Sequence, residues 1–254
     1  MSVTIAGKRV LVVGASEGIG KEFAERAIRD GATVLMSARR AEALSVVADS
    51  AGGGHVAIVD VTDDASIDAL VVTAVEALGE IDLVLYAVGS ASMRRLVDFD
   101  REMWDQTLAT NVVGFNQLAR RLIGSLSTGA IVVALSSESA AVPRDGLIAY
   151  AASKAALEAS VRGWRAEHPE VRWSCVAVGA TFPTAFGSTF DPDIMGPLLD
   201  VWIKKGLLQE AFMVPGEVAE HLLAIYASAL SLASVNVEHI VLRSPSPTMG
   251  TSAG

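Results

Sequence analysis

Short, continuously apolar runs recur along the chain, separated by longer stretches in which apolar positions return every third or fourth residue. Val10-Leu11-Val12-Val13 and Ile131-Val132-Val133-Ala134-Leu135 are of the first kind; Phe23, Ala24, Ala27 and Ile28 are of the second. A continuous run suits a strand covered on both faces, whereas the longer period suits one buried stripe on a helix. The pattern predicts strands over 8–13, 33–37, 56–59, 82–87, 130–135, 171–177 and 238–242. It predicts helices over 18–30, 41–50, 64–78, 100–125, 149–167 and 216–229. Regular alternation of the two points to an α/β chain. The expected architecture is a single doubly wound parallel sheet of about seven strands with helices on both faces and ligands beyond the strands' carboxyl ends.

Composition narrows this reading. Of 254 residues 51% are hydrophobic and no Pro/Gly/Ser-rich stretch divides the interior, so residues 1–243 are expected to form one domain. Residues 244–254 read as a mobile, polar, Pro/Gly-rich tail. A formal charge of −9 argues against a nucleic-acid partner, which would need a basic face not visible in the sequence. The longest uncharged run, Leu222 to Val237, is short for a membrane span and carries Ser228, Ser231, Ser234 and Asn236; a buried helix and a turn are expected. Cys175 is the single cysteine, in an apolar run, and suits a small core residue. No disulfide framework is possible, and Met1 to Gly7 lacks the basic start and apolar stretch of a secretion signal, so a cytoplasmic location is expected. His55, His168, His221 and His239 are scattered without metal-ligand spacing, and no metal is expected.

Two segments carry chemistry. Tyr150 and Lys154 stand four residues apart, which on a helix places a phenol and an ammonium on one face. The cation favours the phenolate; bringing a phenol from about 10 to about 7 takes roughly 4 kcal/mol, at 1.36 kcal/mol per pH unit. Ser137 lies thirteen residues before Tyr150, at the end of a predicted strand. A hydroxyl, a phenol and an ammonium meeting there suit proton transfer at a carbonyl or alcohol. The second segment is Gly14-Ala15-Ser16-Glu17-Gly18-Ile19-Gly20, between an apolar strand and a helix. Strand, glycine-rich turn and helix let backbone N–H groups meet a pyrophosphate. An ordinary turn needing positive φ is the competing explanation.

In order along the chain, Gly14, Gly18, Gly20, Asp60-Val61, Asn111, Ser137, Tyr150 and Lys154 resemble the short-chain dehydrogenase/reductase family, over residues 5–243. The resemblance implies a Rossmann-like fold, a nicotinamide dinucleotide and interconversion of a ketone or aldehyde with an alcohol. Tyr150 would serve as general acid/base, Ser137 would polarise the substrate oxygen, and Lys154 would hold the nicotinamide ribose and lower the tyrosine pKa. Asn111 would hold a water linking Lys154 to solvent. Implied cofactor contacts come from Gly14, Ser16, Glu17, Gly18, Ile19 and Gly20, and from Asp60 and Val61 at the adenine. Further contacts are implied from Ala87 and Gly89, from Val178, Gly179 and Thr184, and from Tyr150 and Lys154. The family also implies a homodimer or homotetramer. A non-catalytic dinucleotide-binding regulator is the alternative reading; a nucleotide-sugar epimerase or dehydratase is disfavoured by the small C-terminal region.

The chain departs from the family at several places. The usual aspartate after the second strand is Ala38, followed by Arg39 and Arg40, which favours NADP(H) over NAD(H) because an arginine can clamp a 2′-phosphate. Glu17 opposes that choice unless it turns outward or pairs with an arginine. Tyr86-Ala87-Val88-Gly89 stands where the family has Asn-Asn-Ala-Gly, so a weaker local sheet and a looser cofactor grip are expected. Val178 replaces a family proline. Residues 180–214 are rich in aromatic and methionine side chains and read as a substrate lid, implying an apolar ketone or alcohol, with Ser90, Val142 and Arg144 as further pocket candidates.

Overall fold

The computed structural model describes residues 4–250. In chain order it contains β1 (Arg9–Val13), α1 (Gly18–Arg29), β2 (Thr33–Ala38), α2 (Ala41–Ala51), β3 (His55–Ile58), α3 (Asp64–Leu78) and β4 (Ile81–Tyr86). Then follow α4 (Arg101–Leu108), a π-helical turn (Ala109–Val113), α5 (Gly114–Leu122), β5 (Leu126–Ser137) and α6 (Ile148–Glu167). The chain closes with β6 (Arg172–Val178), α7 (Pro192–Lys204), α8 (Pro215–Ser231) and β7 (His239–Leu242). The strands form one sheet, ordered β3-β2-β1-β4-β5-β6-β7, with every pairing parallel. This is the expected doubly wound architecture.

Successive strand residues feed opposite cores, which is why the runs are apolar throughout. Val10 and Val12 of β1 join Phe23, Ala24 and Ala27 of α1 with Leu222 and Tyr226 of α8. Leu11 and Val13 face the other way, toward Ile67 and Leu70 of α3, Phe115 of α5 and Leu157 of α6. Leu222 to Ser231, the apolar half of the long uncharged run, therefore lies in a helix packed on the sheet. Among the described residues no helix is long and apolar enough to cross a membrane. Strand order reverses between β1 and β4, and the crevice beyond their carboxyl ends is where such sheets bind ligands.

Three elements differ from expectation. The helix predicted over 100–125 is interrupted by the π-helical turn, where Gly114 N–H reaches back to Ala109 O and the Thr110 carbonyl accepts from the Tyr86 hydroxyl at 3.1 Å. The strand predicted from 130 begins at Leu126, which pairs with Ile81 across a register shift. The lid contains a helix, α7, capped by Asp191 accepting from Asp193 N–H, with Pro192 in its first turn. Residues 244–250, assigned by composition to a loose tail, are tied to the lid: Glu210 N–H donates to Pro247 O, Met249 N–H to Leu208 O and Gln209 Nε2 to Ser244 O. Residues 251–254 lie outside the described part.

Candidate active site

The glycine loop is built by close backbone packing. Gly14 (φ 93°) lies against the Ala87 carbonyl, where a Cβ would come within 2.9 Å, and its N–H donates to Ser37 O. A Cβ on Gly20 would stand 2.2 Å from Gly14 O, so these two glycines lock α1 onto the ends of β1 and β4. Gly18 differs. At φ 57° its Cβ would clash with nothing and would touch only Thr184 Cγ2, at 3.9 Å. Glu17 at the N-cap of α1 makes no side-chain bond to the first turn, which leaves those amides available. An anionic pyrophosphate fits this cradle, bounded by Gly18 on one side and Thr184 on the other. Here positive φ serves both explanations at once.

Around it the expected contacts are distributed as follows. Arg40 Nη2 donates to Glu17 Oε2 at 2.5 Å and to Ser16 Oγ at 3.2 Å, so the conflicting carboxylate is paired. Arg39 is exposed and acts on Asp60 electrostatically. Asp60 Oδ1 accepts from Thr62 N–H and Oγ1, and these bonds hold its carboxyl below the usual range. The cap of α3 is Asp63, accepting from Ala65 N–H, so Asp60 is not spent there. Val61 is buried beneath Gly114, whose Cβ would meet Val61 O at 2.7 Å. Ile19 packs into the first core. Gly179 N–H donates to Leu242 O, fixing Val178 and Gly179 at the end of β6.

Ser137 ends β5, and Tyr150 and Lys154 lie on α6 as the spacing requires. All three are buried. The Ser137 hydroxyl stands against the Tyr150 phenol and, with the Arg144 charge, favours its ionisation; burial outweighs both and pushes the phenol up to about 12. The Lys154 ammonium sits 5.9 Å from the tyrosine ring centroid and donates to Leu135 O at 2.9 Å and Val88 O at 3.4 Å. Burial also pushes Lys154 down to about 8, against the pull of Cys175 and Glu158. Gly89 makes room for it, since a Cβ there would lie 3.1 Å from Nζ.

Asn111 is fully buried in the π-helical turn. Its Oδ1 accepts from Ser90 N–H, and its Nδ2 donates to Ser90 O and Ser153 Oγ. The side chain thus splices the loop after β4 to α6, one residue before Lys154. Tyr86, where the family asparagine was missed, is also fully buried, edge-on to Phe115 at 5.4 Å. Its hydroxyl donates to Thr110 O, which ties the end of β4 to the π-helical turn.

The pocket candidates separate. Val142 is exposed, and Ser90 serves Asn111 through its backbone. Arg144 is buried, pairs with Glu138, donates to Ser139 Oγ and Leu207 O, and lies 5.9 Å over the Trp202 ring. It ties the serine turn to the lid, a role the sequence did not announce. Phe186 of the lid packs on Tyr150 at 5.1 Å and on Phe190 at 5.5 Å. His239, which sequence spacing left isolated, meets Glu158 and Cys175 because strand register brings β6 and β7 side by side.

The short chain dehydrogenase family pattern matches residues 8–193, and the chain belongs to that family. The glycine betaine reductase of Emericella nidulans is 32% identical over 197 residues, 74% of this chain and 16% of that protein. The gluconate 5-dehydrogenase of Gluconobacter oxydans is 37% identical over 175 residues, 63% of this chain and 65% of that one. The chain therefore spans less than two thirds of the length of these curated relatives. A short chain dehydrogenase from Burkholderia cenocepacia J2315, solved in complex with NADP, superposes with a TM-score of 0.79 at 27% identity, covering 94% of this chain and 97% of that one.

Proposed function

We propose that this protein is an NADP(H)-dependent oxidoreductase that interconverts a ketone or aldehyde and an alcohol on an apolar substrate, with Tyr150 as general acid/base. The observation that carries this reading is the convergence of Ser137, Tyr150 and Lys154 at the carboxyl end of β5, across from the open cradle at Gly18. A nicotinamide dinucleotide would be held by that cradle, Asp60 and Lys154, and when bound would supply or accept the hydride. Ser137 donates to the substrate oxygen and orients it beside the phenol. In reduction Tyr150 passes its proton to that oxygen; in oxidation it takes the proton back. Lys154 holds the ribose and refills the phenolate, with Asn111 fixing the loop that faces it.

The pairing of Glu17 with Arg40 supports NADP, since it leaves Arg39 to meet a 2′-phosphate with no carboxylate from residue 38 to repel it. The complex of the Burkholderia neighbour with NADP supports the same choice. Phe186 and Phe190 beside Tyr150 support an apolar substrate. Cytoplasmic placement and a homodimer or homotetramer complete the reading, the latter checked on a sizing column.

NADPH offered with a panel of apolar ketones tests the proposal. Turnover is expected, and Tyr150→Phe lowers it by at least about 10²-fold while sparing NADPH affinity. Turnover retained in that variant moves the acid elsewhere. Firm NADPH binding with no oxidation on any carbonyl indicates a non-catalytic binding protein instead. Arg39→Ala is expected to narrow the preference for NADPH over NADH; tighter binding of NADH by the unaltered protein refutes the arginine's role.

A further inference from the structure

Away from the crevice, three side chains of mixed chemistry meet on the outer end of the sheet. Cys175 of β6 and His239 of β7 are partners in the parallel register, so both leave the sheet on one face. That is the face covered by α6, since Cys175 clusters with Leu157 and Val161. Glu158 lies on the same helix, one turn beyond Lys154. A thiol, an imidazole and a carboxylate thus converge, with their ligating atoms all within 4.8 Å of one another. His239 Nε2 is 3.8 Å from Glu158 Oε1.

We propose that Glu158, Cys175 and His239 form a binding site for a divalent transition-metal ion of the zinc class. Metal bonds to sulfur, nitrogen and oxygen are about 2.0–2.3 Å, so ligands on a common ion lie roughly 3–4 Å apart; the three atoms need only a small inward movement. Thiolate and imidazole together select zinc or cobalt over magnesium or calcium, which prefer all-oxygen sites. The carboxylate is already oriented by Ser136 Oγ, which donates to Oε1 at 2.8 Å, as outer-sphere partners do at metal centres. A recess of about 330 Å³ opens onto the three ligands and leaves a fourth coordination position for water. Two cations border the recess, Arg162 and Arg165. Arg165 is engaged by the Glu238 carboxylate and by the carbonyls of Trp173 and Glu238, which leaves Arg162, with Lys154, as the cations acting on the thiol. On binding, the Cys175 thiol releases its proton to solvent and its sulfur bonds the metal; no electron moves.

Cobalt(II) titrated into the purified full chain tests the site, because thiolate-to-cobalt charge transfer absorbs in the near ultraviolet. One equivalent per chain is expected to produce that band with strong ligand-field absorption in the visible. Cys175→Ser abolishes the band, and His239→Ala and Glu158→Gln each weaken cobalt binding by at least about tenfold. His239 and Glu158 are less buried than Cys175, so their variants carry the test should Cys175→Ser fail to fold. Absence of a thiolate band, or cobalt binding unchanged in both His239→Ala and Glu158→Gln, overturns the proposal.

Discussion

Removing one oxygen atom from Tyr86 tests how this chain secures its active-site helix. The ring is fully buried, and burial raises its phenol far above the ordinary range, so the hydroxyl remains a donor at any working pH. Among the described residues its hydrogen bond goes to Thr110 O, within the turn that carries Asn111. Tyr86→Phe keeps the ring, its buried area and its edge contact with Phe115, and deletes that one bond. Leaving a partly buried carbonyl without its donor costs about 1–2 kcal/mol. For a domain of this size each kcal/mol lowers Tm by about 2–4 °C, so a fall of about 2–8 °C is expected by calorimetry. Because Asn111 follows directly and holds Ser90 and Ser153, kcat is expected to fall severalfold as well. Tyr226→Phe is the control: it deletes a comparable buried bond, 2.7 Å to Ser174, in the opposite core. It should lower Tm and leave kcat alone. Unchanged Tm and kcat in Tyr86→Phe refute the idea that this hydroxyl secures the π-helical turn.

Two further outcomes follow from the site. Lys154 binds its proton less tightly folded than unfolded, so the unfolded chain holds more protons between about pH 8 and 10.5 and this group makes stability rise with pH there. Measured by denaturant unfolding at pH 8 and 10, the native protein should gain on Lys154→Met by up to roughly 3 kcal/mol, at 1.36 kcal/mol per pH unit; a flat difference refutes the depressed ammonium. Gly20→Ala, whose methyl would strike Gly14 O, should melt well below the native protein by about 1–3 kcal/mol. Gly18→Ala, whose methyl clashes with nothing and touches only Thr184, should keep its fold at about 1–2 kcal/mol cost yet lose at least tenfold in NADPH affinity. Equal effects of the two on melting and on a fluorescence titration with NADPH contradict the division of labour between the glycines.

Most of the fold was legible because two-sided burial writes strands as unbroken apolar runs, and Tyr150, Lys154 and Ser137 followed from helix pitch and chain order. What escaped depended on tertiary contacts. Periodicity cannot see a π-helical turn held by a tyrosine from another strand. The first residues of β5, Leu126-Ser127-Thr128-Gly129, look like a loop because they pair only with the start of β4. Pro192, Gly196 and Pro197 disguised α7 as irregular chain, although Asp191 before Pro192 was a readable cap signal. Spacing gave the Tyr150–Lys154 pair but not the burial of both side chains, which a four-residue interval does not record. The meeting of Glu158, Cys175 and His239 required strand order and register.

The Tyr150 phenol belongs to the same apolar cluster as Leu198 and Trp202 of α7, with Leu147, Met93 and Leu208. The dry surroundings that oppose its ionisation are therefore supplied partly by a segment outside the sheet. Were water admitted to the ring, the phenol would return toward free tyrosine; a guest that kept water out would meet a drier, weaker acid. A guest too bulky to keep that oxygen dry would then face a differently tuned proton donor, and discrimination among substrates would rest on hydration as well as on shape.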